Sequence, residues 1–161
     1  MQKITPFLWF DRQAEEAANF YVSVFKNSKI TAVTRYSEEG IEVHGMPAGT
    51  VMTVAIQLDG QEFIALNGGP VFKLTEAISF VINCQTQDEV DHFWDKLSKG
   101  GKKSQCGWLT DKFGVTWQVV PTVLLQMLQD KDLEKSKRVM QAMLQMNKLD
   151  IQRLKQAYEH S

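Results

Sequence analysis

One order of elements, strand, helix, strand, strand, strand, can be read twice along the chain, and it constrains the fold more than any single motif. Residues 3–10, KITPFLWF, alternate and are rich in aromatics, which reads as a strand. Asp11 then opens a helix, with Glu15 and Glu16 in the first turn, where carboxylates suit the helix dipole. Ala14, Ala17, Ala18, Tyr21, Val22 and Phe25 recur at helical spacing and form its buried face. Residues 29–36, KITAVTRY, read as a second strand, and the Gly- and Pro-containing stretch 37–49 as a loop. Residues 51–58 and 61–67 are two further strands around Asp59-Gly60, a strong hairpin signal. Gly68-Gly69-Pro70 then breaks the chain.

The same order begins again. Residues 77–83 form a strand, and residues 87–98 a helix with Val90, Phe93, Trp94 and Leu97 on one face. Gly100-Gly101 ends it. Residues 105–110 and 115–120 are strands around the turn Asp111-Lys112-Phe113-Gly114, with room for one short strand before them. Antiparallel hairpins with one helix per module specify an α+β chain rather than a doubly wound sheet. After Pro121 the pattern turns helical. Leu124, Leu125 and Leu128 share a face, Val139, Met140, Met143 and Leu144 follow, and Asp150 caps a last helix carrying Ile151, Leu154 and Tyr158. The division read from this is a first βαβββ module over residues 1–70, a compact second one over 71–122, and a helical extension over 123–161.

Composition excludes several functions. The 161 residues carry a net charge of −1 with no long basic run, which argues against nucleic acid as a partner. The apolar runs are far too short to span a membrane, and the opening MQKITPFLWF does not read as a secretory signal. The two cysteines, Cys84 and Cys106, make no disulfide framework and read as free thiols of a cytoplasmic protein.

Three strings together carry a family resemblance: ITPFLWFD-x-x-AEEAANFY from Ile4, LDGQEF-x-ALNGGP from Leu58, and GWLTDKFGVTWQVVP from Gly107. They are similar to those of PhnB-like proteins, a branch of the glyoxalase/bleomycin-resistance/dioxygenase superfamily often labelled "3-demethylubiquinone-9 3-methyltransferase". The resemblance spans roughly residues 3–122. It implies the vicinal-oxygen-chelate fold, in which two βαβββ modules have curled, antiparallel-rich sheets that form a cup, and it implies a homodimer, with the cup built within one chain or across two.

Enzymes of that superfamily hold a divalent ion with His and Glu from the first and last strands of each module. Lined up by strand order, those positions fall on Thr5 or Pro6, near Phe63 or Ala65, near Ser79, and on Gln118. Hydroxyl, amide and apolar groups cannot balance a divalent charge, so no metal or other cofactor is expected. The methyltransferase label would require a glycine-rich strand-to-helix turn for S-adenosylmethionine, and Gly68-Gly69-Pro70 does not have that pattern. Cys106 has no basic partner that spacing can place beside it, so a small packed thiol outweighs a nucleophile. His92 reads as a solvated helix residue and His160 as near the end of the last helix, while His44 lies in a loop and reads first as an exposed histidine, with guarding the mouth of a cup as the lesser alternative.

The sequence therefore points first to a metal-free binder of a small organic molecule. Its pocket is expected to be lined by Thr5, Phe7, Trp9, Phe63, Asn67, Ser79, Trp108 and Gln118, with aromatic walls and a few polar groups to orient a ligand. On this reading Gln118 points into the cup and Trp117 packs under a helix. The alternatives are a divalent-metal-dependent lyase or dioxygenase, and an interaction protein whose cup is filled by its own side chains.

Overall fold

The computed structural model describes residues 2–160. They form two compact units, one ending at Leu74 and one starting at Thr75. Each contains an open four-stranded mixed sheet, and neither sheet closes into a barrel. Six helices lie among the described residues.

In the first unit, β1 (Phe7–Phe10), α1 (Ala14–Val24), β2 (Lys29–Arg35), α2 (Ile41–His44), β3 (Val51–Leu58) and β4 (Gln61–Asn67) follow one another. The sheet order is β1-β4-β3-β2, with β1 parallel to β4 and the other pairs antiparallel. Leu8, Phe10, Val54, Ile56, Phe63 and Ala65 point to the side covered by α1, where Ala14, Ala17, Ala18 and Tyr21 are fully buried. The alanines let the helix lie close to the sheet, and Tyr21 fills the space beside them. The stretch read as a loop contains α2, a single turn bounded by the left-handed residues Gly40 and Gly45.

Helix α1 starts at Ala14, three residues after the Asp11 expected to open it, and its N-cap position is Gln13, which makes no side-chain cap. The cap is supplied from the end of β4, where the Asn67 side-chain oxygen accepts the Ala14 N–H at 2.8 Å. A helix end must find partners for its first N–H groups, and here the partner is brought by the sheet.

In the second unit, β5 (Phe80–Cys84), α3 (Gln87–Ser98), β6 (Lys102–Lys103), β7 (Trp108–Thr110) and β8 (Thr116–Pro121) give the sheet order β5-β8-β7-β6. The parallel pair is again first strand with last, β5 with β8. Phe80, Ile82, Leu109, Trp117 and Val119 face α3, whose Val90, Trp94 and Leu97 are buried. Strand β5 begins three residues later than expected, and β7 begins at Trp108 rather than at 105 because Cys106 and Gly107 both take positive φ and turn the chain.

The same unit includes α4 (Thr122–Leu128), α5 (Leu133–Met143) and α6 (Ile151–Glu159). Leu124, Met127, Val139, Met146, Leu149 and Leu154 form one apolar cluster with Val120 of β8. Polar contacts tie this layer to α3. The Gln87 side chain donates to the Leu149 carbonyl and accepts from the Ile151 N–H, and Lys148 pairs with Asp91 at 3.0 Å. The Gln87 amide, with Lys148 second, holds the Asp91 carboxyl below its usual range. Asp150 accepts the Arg153 N–H, the N-cap read from the sequence. At the other end of α6, Arg138 donates to the carbonyls of Ala157 and Tyr158, as a cation at a helix C-terminus does.

Candidate functional site

Each sheet has one face turned away from its helix. In the first unit this face carries Phe7 and Trp9 of β1. The β4 residues facing the same way are Ile64 opposite Phe7 and Leu66 opposite Trp9, with Glu62 two positions before Ile64. Phe7 is 58% exposed, and Thr5 lies half-buried just before the strand.

Two residues expected on this face lie elsewhere. Phe63 pairs with Ile56 on the α1 side and is buried, so the alternating position belongs to Glu62. The assignment was out by one residue, and a one-residue slip moves every side chain of a strand to the other face. Asn67 is also on the helix side, 5% exposed. Besides capping α1, its side-chain amide donates to the Val51 carbonyl at 3.0 Å, and the Tyr36 hydroxyl donates to its main-chain carbonyl. Its hydrogen-bonding groups are engaged in holding the fold.

Trp9 is on the open face but is locked in place. Its indole N–H donates to the Gly69 carbonyl at 2.9 Å, and Phe72 meets it edge-on at 4.9 Å. A Cβ at position 68 would lie 2.3 Å from the indole ring, so only glycine fits beneath it. His44 stacks on Tyr36 at 4.5 Å, accepts the Met46 N–H on Nδ1, and has Nε2 3.1 Å from the Glu39 carbonyl. That arrangement shapes the 36–49 loop. His92 and His160 are exposed.

The second unit differs. Gln118 lies opposite Trp108 on β7 and beside Val81 on β5, so these side chains share the open face. Gln118 donates to the Ser79 hydroxyl at 2.9 Å. Ser79, Trp108 and Gln118, all expected in the site, are therefore brought together. Trp117 is buried on the other side, in contact with Phe80 at 5.6 Å, as alternation predicts once Gln118 faces outward.

Next to this group is a cleft of about 210 Å³ lined by Glu76, Lys102, Ser104, Trp108, Thr110 and Thr116. Thr110 and Thr116 face each other across the hairpin and share a hydrogen bond of 3.3 Å. Lys102 stands opposite Thr110 on the edge strand. The sequence reading did not single out these five neighbours of Trp108. The threonines flank the Asp111–Gly114 turn, Thr110 directly before it and Thr116 two residues after it, and they pair because the Asp111 N–H bonds to the Val115 carbonyl and sets the register.

Under the cleft, the turn is fastened from within. Asp111, 3% exposed, accepts the N–H groups of Phe113 and Val115 on one oxygen and the Trp117 indole N–H at 2.9 Å on the other. At the start of β7, the N–H groups of Cys106 and Gly107 donate to the carbonyls of Met146 and Asn147 at 2.8 Å each. Gly107 has φ of 83°, and a Cβ there would meet the Val119 carbonyl at 2.7 Å, so no other residue suits the turn that delivers Trp108.

These donor sets do not fit a divalent metal. The open face of the first unit offers one carboxylate, Glu62, among apolar and hydroxyl groups, and that of the second unit, with its cleft, offers one carboxylate, Glu76, the Ser104 hydroxyl, and an amide and hydroxyls bonded to one another. Among the described residues, no three His, Cys, Asp or Glu side chains cluster as ligands would, whereas such ions take several N, O or thiolate ligands in fixed geometry. Nor do the described residues form a parallel doubly wound sheet of the kind that carries a dinucleotide-type glycine turn. Among the described residues, no helix is long and apolar enough to cross a membrane.

Comparison with known proteins agrees with this architecture. The family described as 3-demethylubiquinone-9 3-methyltransferase matches residues 2–120. A PhnB protein of Bacillus cereus is 38% identical, with 75% of this chain and 100% of that one covered and a TM-score of 0.66. A protein of Pseudomonas aeruginosa is 20% identical over 75% of this chain and 98% of its own, with a TM-score of 0.60. The fosfomycin resistance protein FosX of Listeria monocytogenes, 11% identical over 80% and 98%, has a TM-score of 0.53 and shares the fold. None of the curated proteins compared with the chain matches it. The chain thus belongs to the PhnB-like family described as 3-demethylubiquinone-9 3-methyltransferase, with the vicinal-oxygen-chelate fold that the fosfomycin resistance protein FosX also has, and that description is a family name rather than a demonstrated activity.

Proposed function

We propose that this protein binds a small organic molecule without a metal ion, and that the open face of the second sheet is where it does so. The observation that carries the reading is Trp108. It is half-buried at a cleft, has hydroxyl and amide groups around it, and its indole N–H bonds to nothing else among the described residues. A partly apolar concavity with a few polar groups is the usual form of a ligand site. Glu62 is the observation that favours the second reading, a metal-dependent lyase or dioxygenase, because it places one carboxylate on an open face.

A homodimer and a cytoplasmic location complete the proposal. Exposed apolar groups on the open faces, Phe7 and Val81, support coverage by a second copy, and two unpaired cysteines suit a reducing compartment. Elemental mass spectrometry on protein purified without chelator or nickel resin tests the central claim. The expected result is no stoichiometric metal and no thermal shift with added metals, but a shift with some members of a small-molecule panel. About one Zn, Mn, Ni or Fe per chain would overturn it.

A further inference from the structure

The free groups of the second unit's cleft define what it would take. Thr110 and Thr116 bond to each other, and Gln118 to Ser79. Among the described residues, four lining side chains have no partner within the chain: the Lys102 ammonium, the Ser104 hydroxyl, the Trp108 indole N–H and the Glu76 carboxylate. Three of the four are donors, and one of the donors is a cation. The strand tryptophans make the contrast plain, since Trp9 and Trp117 both give their N–H to a protein oxygen. A donor-rich cleft beside an indole plate suits an anion carried on a flat ring. Its volume of about 210 Å³ lies below the roughly 300 Å³ at which sites for drug-sized ligands begin, which suits a ligand of one ring. Glu76 disfavours a second acidic group and accepts from a hydroxyl or amine.

From this, and resting on the reading of the open face as a ligand site, we propose that the cleft binds a single-ring aromatic monocarboxylate bearing a hydroxyl or amine. The ring stacks on Trp108, the carboxylate meets Lys102 and Ser104, and the ring's donor meets Glu76. No covalent step is involved.

The test uses the full chain and 4-hydroxybenzoate, with neutral 4-hydroxybenzamide as the matched control. Binding is followed by calorimetry and by the indole N–H resonances in a proton–nitrogen correlation spectrum. The acid is expected to shift the Trp108 indole signal and leave those of Trp9 and Trp117 in place. Lys102→Gln is expected to weaken the acid by about three- to fivefold, the scale of one exposed charge contact, with the amide unchanged. Trp108→Leu is expected to weaken both by about tenfold. Lys102→Gln sits on an edge strand and keeps the proposal testable if Trp108→Leu does not fold. Equal binding of acid and amide, with no effect of Lys102→Gln, would overturn the ligand class and leave the site standing. Failure of both probes to move the Trp108 signal would overturn the ligand class and the site together.

Discussion

Helices α1 and α3 hold the same place in their units and begin in different ways. Helix α3 brings its own cap, since the Thr86 hydroxyl accepts the Glu89 N–H three residues on, the spacing of a capping box. Helix α1 has none and takes its oxygen from Asn67, 53 residues later. The two sheets differ in the same sense. At the end of β4, Asn67 and Gly69 bind the helix, the loop tyrosine and Trp9. In the second unit that binding is done beneath the sheet by Asp111, and the open-face groups around Trp108 are left for something else. Where a unit stabilises itself through the rim of its sheet, it has fewer polar groups there for a ligand.

Four perturbations would break or sharpen this contrast. The largest effect is expected at Asp111→Ala, which strands two backbone N–H groups and an indole N–H in a buried turn. It should lower stability by about 3–4 kcal/mol in urea unfolding, with Asp111→Asn costing less because one oxygen keeps the Phe113 and Val115 bonds. Gly68→Ala should cost about 2 kcal/mol, because a Cβ 2.3 Å from the Trp9 ring forces the indole to move. A changed near-ultraviolet circular dichroism band would report that movement. An unchanged band with unchanged stability would remove Trp9 from the locked half of the comparison.

The third test sets the two caps against each other. Asn67→Ala should cost about 2 kcal/mol, since it also releases the Val51 carbonyl, and Thr86→Ala about 0.5–1 kcal/mol. Equal costs would mean the borrowed cap carries no more than a local one. The smallest effect on stability is expected from the thiols. Cys84 is buried, and burial first, then the Glu89 carboxylate, pushes its pKa up to about 12 from 9.0. Keeping the thiol neutral contributes stability that is fully present below pH 9.0 and is lost as pH rises toward 12. Near neutral pH a thiol reagent should therefore label half-buried Cys106 and spare Cys84 until the protein unfolds. Equal labelling of both would show that the second unit opens readily.

Much of the fold was legible because its signals are local. The Asp59-Gly60 turn fixed β3 and β4 at their ends, and the periodicity of residues 87–98 matches α3 residue for residue. The side of Trp117 followed from alternation beside Gln118. What was not legible depends on distance along the chain. The face of Phe63 is set by the β1–β4 register, and the start of α1 by an oxygen on β4. The turn at Cys106-Gly107 is held by carbonyls some 40 residues later. Of the expected site, Ser79, Trp108 and Gln118 share a face, Phe7 and Trp9 share another, and Asn67 and Phe63 are packed inward.

That last turn has a consequence for how the protein is made. The N–H groups of Cys106 and Gly107 have their acceptors on Met146 and Asn147, and buried backbone donors are not left without acceptors in a finished structure. A ribosome must therefore release the chain through Asn147 before the segment leading into Trp108 can settle. The bonds described for the first unit, from Asn67 to Ala14, from Tyr36 to Asn67 and from Trp9 to Gly69, all join residues before Leu74 and can form while the second unit is still being translated.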